Sequence, residues 1–325
     1  MGGDFAPENV VAGAIDALRE TNDRFHIQFI GAENSIKASL GTVDSHGHSF
    51  SIIPAAQVVE MHDGAATSIR QKKDSSIVVG LTLQHNGESD AFVSAGHTGA
   101  VMSASTLVLG RLDGVGRPTI GAFLPSERGV CLLVDAGANV DCKPQHLYEF
   151  AIMGSIYARE MFRFEHPTVG LLNIGEEDSK GNETVKEAHK LLKNSTLNFI
   201  GNVEGRDILS GKAQVVVCDG FVGNVLLKFG ESVPAFFKSA IKQSLNKSIF
   251  TKMLGGMMRT SMRSALKGMD YEEQGGVPVL GVNGVSMIGH GKSTPKAIKN
   301  MILKAEEMVR KNIHHRIEEV LAHAA

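Results

Sequence analysis

One unit recurs along this chain and leaves it few folds to choose from. A short β-branched apolar run meets a glycine-rich polar loop, and a helical pattern follows. "AFVSAG" (91–96) leads into "HTGAVMSASTLVLGRL", and "CLLVDAG" (131–137) into "ANVDCKPQHLYEFAIMGSIYARE". "TVGLLNIG" (168–175) leads into "NETVKEAHKLLK", and "QVVVCDG" (214–220) into "NVLLKFGESVPAFFKSAI". Continuous rather than alternating apolar runs mark strands buried on both faces, and strands that take turns with helices build a parallel sheet. The expected fold is α/β, a three-layer α/β/α arrangement with a mainly parallel sheet.

The helices carry start signals. Asn182 precedes Val185, Ala188, Leu191 and Leu192 as an N-cap, and Thr294 caps a helix whose first residue is Pro295. That last helix places Ile298, Met301, Ile302, Met308, Val309, Ile317 and Leu321 at helical spacing. Near the start, Pro7 opens a helix with Val11, Ile15 and Leu18 on one side. By the logic of the other units a strand precedes the Gly-Gly-Asp loop at 2–4. The sequence begins at that loop, so either the sheet lacks its first strand or the true start lies upstream. No repeat array or linker is evident, and residues 1–325 are expected to form a single domain.

Every polar loop lies where a strand ends. In open parallel sheets that edge is where ligands bind, and helix N-termini there offer unpaired N–H groups to anions. The loops bring Thr98 and Gly99, Asp135 and Asn139, Lys180 and Asn182, Asp219 and Asn224, then His290 and Lys292. Gly96, His97, Asn173, Gly175, Gly181, Gly220 and Gly223 stand beside them as candidate phosphate- or substrate-binding positions. The loop "NIGEEDSKGNE" (173–183) is the sharpest. A plain connection has no use for Lys180, whereas a point charge with mobile donors suits phosphate. A salt bridge from Lys180 to Glu176, Glu177 or Asp178 is the competing reading. Asn224 in "DGFVGN" can donate to a developing oxyanion or cap the helix after it.

Composition removes several classes. A formal net charge of −2 gives no global field for nucleic acid. The three cysteines match no metal spacing and suit a reducing cytoplasm. No apolar run reaches the roughly 18 residues of a membrane span. There is no Walker P-loop, no G-x-G-x-x-G after a strand and no G-x-S-x-G elbow, which argues against kinase, dehydrogenase and serine hydrolase readings. No cofactor and no metal is expected.

Taken in order, "MGGDFAPE", "VSAGHTGA", "DAGANVDCKP", "LLNIGEEDSKGNE", "FIGNVEGRD", "VVVCDGFVGNVLLK" and "HGKS" resemble the bacterial phosphate acyltransferase family over nearly the whole chain. The family has a strand before "MGGD", an asparagine at the place of His97 and a serine at the place of Gly289. The resemblance implies the fold of the isocitrate dehydrogenase and phosphotransacetylase group, and a homodimer. It implies conversion of acyl-acyl carrier protein and inorganic phosphate to acyl-phosphate, the first step of phospholipid synthesis. The product then passes to a membrane-embedded glycerol-3-phosphate acyltransferase. In that reading Lys180 and Asn224 are catalytic and the acids fix their loop by pairing. A phosphotransacetylase acting on coenzyme A thioesters and a non-catalytic phosphate or acyl-carrier binding subunit are the alternatives.

Residues 232–269 form a separate feature, expected to be an amphipathic helical protrusion. The run has no Asp or Glu but carries Lys238, Lys242, Lys247, Lys252, Arg259, Arg263 and Lys267. Met253, Leu254, Met257 and Met258 are the expected contacts with an anionic membrane surface at the inner face, with a dimer seam and an acyl carrier protein dock as rivals.

Overall fold

The structure is a computed structural model that describes residues 1–245 and 271–324. The expected contacts Met253, Leu254, Met257 and Met258, and residues 246–269 of the expected protrusion, lie outside the described residues. The chain forms two compact units. One comprises Met1–Gly121, Ile152–His166 and the stretch from Tyr271 onward, and the other comprises Ala122–Ala151 and, among the described residues, 167–245. The first two boundaries fall inside a strand (Thr119–Ser126) and inside a helix (Pro144–Phe162), so no linker composition marks them.

In the first unit, α1 (Glu8–Thr21) buries Val11, Ala14, Ile15 and Leu18 and stops at Asn22, which takes the left-handed conformation at φ 51°. The three- and four-residue spacing of those side chains is what aims them at one core. They pack with Phe29 of β1 (Ile27–Gly31) and with Ile36 and Leu40 of α2 (Glu33–Leu40). β1 pairs in parallel with β2 (Phe50–Pro54). After α3 (Ala65–Gln71) and α4 (Ser76–His85), β3 (Ala91–Ser94) leads to α5 (Thr98–Ala104). The strand order here is β3, β10 (Val285–Ile288), β9 (Val277–Leu280) and β4 (Thr119–Ser126). β10 runs parallel to β3, but β9 runs antiparallel to both β10 and β4. The helix Pro295–Arg310 crosses α1 at Gly13, where a Cβ would stand 2.4 Å from the Pro295 carbonyl oxygen.

In the second unit the order is β4, β5 (Gly129–Val134), β8 (Val215–Val217), β6 (Val169–Leu172) and β7 (Phe199–Val203). β5, β8, β6 and β7 are all parallel neighbours. Their inner faces place Leu133, Val203 and Val216 against Ile208 of α8 (Gly205–Ser210) and against Leu226 and Leu227 of α9 (Gly220–Leu245). Removing a side chain such as that of Leu133 costs about 2–5 kcal/mol.

All four sequence units resolve as expected, as strand, loop and helix. One helix reading needs correction. The pattern from 295 onward is two helices, Pro295–Arg310 and Ile313–Ala324, because Asn312 takes φ 53° between them. Asparagine accepts that conformation at little cost, and the apolar stripe continues across the break and hides it.

Candidate active site

The second unit builds its loops from one row. Val134 of β5 and Leu171 of β6 both pair with Val217 of β8, and Leu172 pairs with Val203 of β7. Parallel neighbours lie roughly 4.8 Å apart. The loops that leave Val134, Leu172 and Val217 are therefore immediate neighbours; Lys180 lies on the second, and Asn224 lies in the first turns of the helix that follows the third.

The loop after β5 is organised by a buried carboxylate. Asp135 Oδ1 accepts from the Gly137 and Ala138 amides at 3.0 and 2.9 Å, and Oδ2 from the backbone and side-chain nitrogens of Asn139 at 2.7 and 2.8 Å. Burial pushes the Asp135 carboxyl above the usual aspartate range, and those donors oppose the push. Asp135 and Asn139 thus spend these polar atoms on the loop itself. α9 then rests on it. The Gly220 amide donates to the Asn139 carbonyl at 2.7 Å, and a Cβ on Gly223 would stand 1.8 Å from the Asp135 carbonyl oxygen. Only glycine allows that approach.

Asn224 is not the cap of this helix. α9 starts at Gly220, and Asp219 Oδ1 accepts from the Val222 amide at 2.8 Å, so Asp219 is the capping residue. Asn224 sits one turn in, exposed, beside Gly137, whose added Cβ would lie 3.3 Å from Asn224 Cβ and Cγ.

The loop after β6 presents Lys180. Asn173 accepts from the Ile174 amide at 2.8 Å and donates to the Lys180 carbonyl at 3.0 Å, closing the loop on itself. Gly181, at φ 93°, leaves room for Asn173, whose side-chain oxygen would be 2.7 Å from a Cβ there. Asn182 caps α7 (Glu183–Lys193) through the Val185 amide at 2.9 Å, as expected. Glu176 pairs with Lys212 at 2.7 Å, and Asp178 with Lys193 at 2.7 Å and with His189 at 3.4 Å. The Lys193 hydrogen bond, helped by His189, holds the Asp178 carboxyl below the usual range. The Lys180 ammonium stays half exposed, 3.9 Å from Glu177. Two of the three acids are thus engaged elsewhere, and of the three only the distant Glu177 faces Lys180. Gly175 stands against both members of that pair, a Cβ there being 2.8 Å from Glu177 Oε2 and 3.1 Å from Lys180 Cγ.

The first unit carries the remaining expected residues. The Gly96 amide donates to Ser94 Oγ at 3.2 Å. His97 caps α5: its Nδ1 accepts from the Ala100 amide at 3.1 Å, and its Nε2 donates to the Asp63 carbonyl at 3.1 Å. Those partners hold the ring as the Nε2–H tautomer. Thr98 is exposed at the first turn, and Gly99 packs against the His97 ring. His290 is exposed, with Nδ1 accepting from the Lys292 amide at 3.1 Å. The opening loop meets both, since the Asp4 amide donates to the Gly291 carbonyl at 2.9 Å and a Cβ on Gly3 would lie 2.9 Å from the Ala95 oxygen.

The sequence reading missed Lys193, His189 and Lys212, which restrain the acids, and Asn202, whose amide donates to the Glu177 carbonyl at 2.9 Å. Asn202 lay within the quoted "FIGNVEGRD"; a polar residue at the end of an apolar strand was its one signal. Among the described residues, no group of three or more His, Cys, Asp or Glu is placed to hold a metal ion.

The profile of the family described as fatty acid synthesis protein matches residues 1–316. The phosphate acyltransferase of Chlorobaculum parvum is 48% identical over 331 residues, covering 99% of this chain and 97% of that protein. The phosphate acyltransferase of Geobacter sulfurreducens is 46% identical over 319 residues, covering 98% and 92%. Among solved structures, a phosphotransacetylase from Streptococcus pyogenes superposes with a TM-score of 0.62 at 17% identity, covering 93% of this chain and 92% of that one. A branched-chain phosphotransacylase from Enterococcus faecalis gives a TM-score of 0.57 at 14% identity, covering 95% and 96%. These likenesses fit the mixed α/β fold with a mainly parallel sheet.

Proposed function

The chain belongs to the phosphate acyltransferase family, and from that membership we propose that it moves the acyl group of acyl-acyl carrier protein onto inorganic phosphate. A phosphate oxygen attacks the thioester carbonyl and a C–O bond forms. The tetrahedral intermediate collapses, the C–S bond breaks, and the carrier leaves as thiolate. The proton of hydrogenphosphate balances that thiolate. Phosphate carries about one and a half negative charges at neutral pH and the thiol pKa is about 8.5, so neither partner needs a strong base. What the reaction needs is placement and charge stabilisation.

The observation that carries this reading is the shared register of Val134, Leu171 and Val217, from which the neighbouring loops arise. Lys180 offsets the repulsion between phosphate and the oxyanion. Asn224, freed from capping by Asp219, donates its amide to the oxyanion or orients the phosphate. Asp135 and Asn139 brace the loop beneath Asn224, and Asn173, Gly175 and Gly181 shape the one beneath Lys180.

The partners follow from the reaction: acyl carrier protein, inorganic phosphate and, downstream, a membrane-embedded glycerol-3-phosphate acyltransferase. Among the described residues no helix is long and apolar enough to cross a membrane. α9 nevertheless leaves Phe221, Val225, Phe229, Phe236 and Phe237 exposed. That face supports contact with a further apolar surface, as in a homodimer or in peripheral docking on an anionic bilayer.

The test is a reconstituted assay with long-chain acyl-acyl carrier protein and phosphate, run beside acetyl-coenzyme A. Phosphate-dependent release of acyl-phosphate and free carrier thiol is expected. Turnover of the coenzyme A thioester alone overturns the carrier assignment, and no turnover of either overturns the reading.

A further inference from the structure

The Lys180 loop is held by a residue that belongs to neither of the loops assigned to chemistry. Asn202 lies on β7 and is 3% exposed. Its amide nitrogen donates to the Glu177 carbonyl at 2.9 Å, while its amide oxygen is buried with no hydrogen-bond partner. An orphaned buried acceptor is costly, and native structures keep few of them. Stability alone therefore gives a poor account of an asparagine here.

The register explains its reach. Asn202 pairs with Leu171, so it stands level with the end of β6 and beside the loop that β6 releases. The Glu177 carbonyl it holds also accepts the Lys180 amide at 3.0 Å. One carbonyl thus receives the backbone of Lys180 from within the loop and the side chain of Asn202 from the neighbouring strand. Asn173 closes the other end of the same turn through the Lys180 carbonyl. Both peptide groups of Lys180 are fixed, and one of the two fixings is referred to the sheet by Asn202. Glu177, whose carboxylate is the charged neighbour of the Lys180 ammonium, is anchored by the same bond.

We propose that Asn202 is a positioning residue for Lys180, tying the Glu177–Lys180 turn to the sheet so that the ammonium is delivered where phosphate reacts. This rests on the functional reading above for its consequence but not for its geometry. Asn202 touches no reacting atom; it acts through the backbone of the turn.

Asn202→Leu keeps the shape, removes the donor and also removes the orphaned oxygen. The melting temperature is expected to hold or rise. The KM for phosphate is expected to rise and kcat to fall, with kcat/KM for phosphate down by roughly tenfold to a hundredfold, the range that a small misplacement costs. The KM for acyl-acyl carrier protein should stay within about twofold. Placed on Lys180→Ala, the same change should add less than about twofold, because its target is gone. Amide hydrogen exchange across 174–180 should quicken in Asn202→Leu, a readout that needs no turnover. Inactive wild-type protein would defeat the functional reading, while the exchange result would still decide the clamp. A well-folded Asn202→Leu with unchanged phosphate kinetics, a full additional loss on top of Lys180→Ala, or unchanged exchange overturns the proposal. If the leucine variant does not fold, Asn202→Ala is read against the same outcomes, with Asn202→Ser, which keeps a shorter donor, expected to recover part of the loss.

Discussion

Gly223 and Asp135 meet backbone to backbone: a Cβ on Gly223 would lie 1.8 Å from the Asp135 carbonyl oxygen and 3.0 Å from Cys218 Sγ. The first neighbour is backbone and the second is a buried thiol, so the contact cannot be relieved by a surface side chain swinging aside. Gly223→Ala must therefore lift the start of α9 off the Asp135 loop, and Asn224 moves with it. The melting temperature is expected to fall by several degrees, the shift that about 1–2 kcal/mol or more produces in a chain of this size, together with activity. Thermal denaturation and the acyl-transfer assay on one preparation check it. An alanine variant that melts and turns over like wild type would show that α9 does not rest on this contact.

Lys180→Ala and Asn224→Ala separate chemistry from folding. Both side chains are exposed or half exposed and make no contact that the core depends on. Each variant is expected to lose about two to three orders of magnitude in kcat, the size associated with a single oxyanion donor, with little change in melting temperature. Steady-state kinetics beside a thermal melt decide it, and near-normal kcat in both variants removes these residues from the mechanism.

His97 does the work of an N-cap with a ring nitrogen, since Nδ1 accepts from the Ala100 amide. His97→Asn restores a capping oxygen and is expected to keep the melting temperature within a degree or two. His97→Ala leaves the amide without its acceptor and is expected to cost about 1 kcal/mol. Chemical denaturation of the two variants side by side tests this. Equal loss in both would mean that the Asp63 contact, and not the cap, is what His97 supplies.

Lys304 gives the protein a pH signature. Burial pushes its ammonium down to about 8 from 10.5, against the opposing pull of Glu307. A lysine whose folded-state value is depressed binds its proton more weakly in the folded state than in the unfolded chain. Between pH 8 and 10.5 the unfolded state holds more protons, so this group makes stability rise with pH across that window and adds nothing to the slope well outside it. Lys304→Met is expected to be more stable than wild type at pH 7, with the gap closing between pH 8 and 10.5. Melting curves at stepped pH measure the gap; a gap that is constant with pH refutes the shift.

The sequence by itself determined the units, the caps at Asn182 and Thr294, and the loops that carry the candidate site residues. Short β-branched runs followed by glycine and a helical stripe are local signals, and an N-cap such as Asn182 or Thr294 needs only the next three residues to be right. The same holds for the paired acids, because Glu176 and Asp178 could be expected to find lysines without knowing which. The antiparallel pairing of β9 with β4 escaped it, because the two strands lie far apart along the chain. The tertiary structure alone decided which residues meet. The register of Leu171 with Val217 and with Asn202 brings the Lys180 loop beside the loop that leads into α9, and puts an asparagine from β7 under Glu177. It also gave the α9 cap to Asp219 in place of Asn224, and left no room for a Cβ at Gly223. Those are facts of approach between segments distant in sequence, set by how parallel strands align and how closely a helix can lie on a loop. No local pattern encodes a distance between two parts of a chain that only the folded sheet brings together.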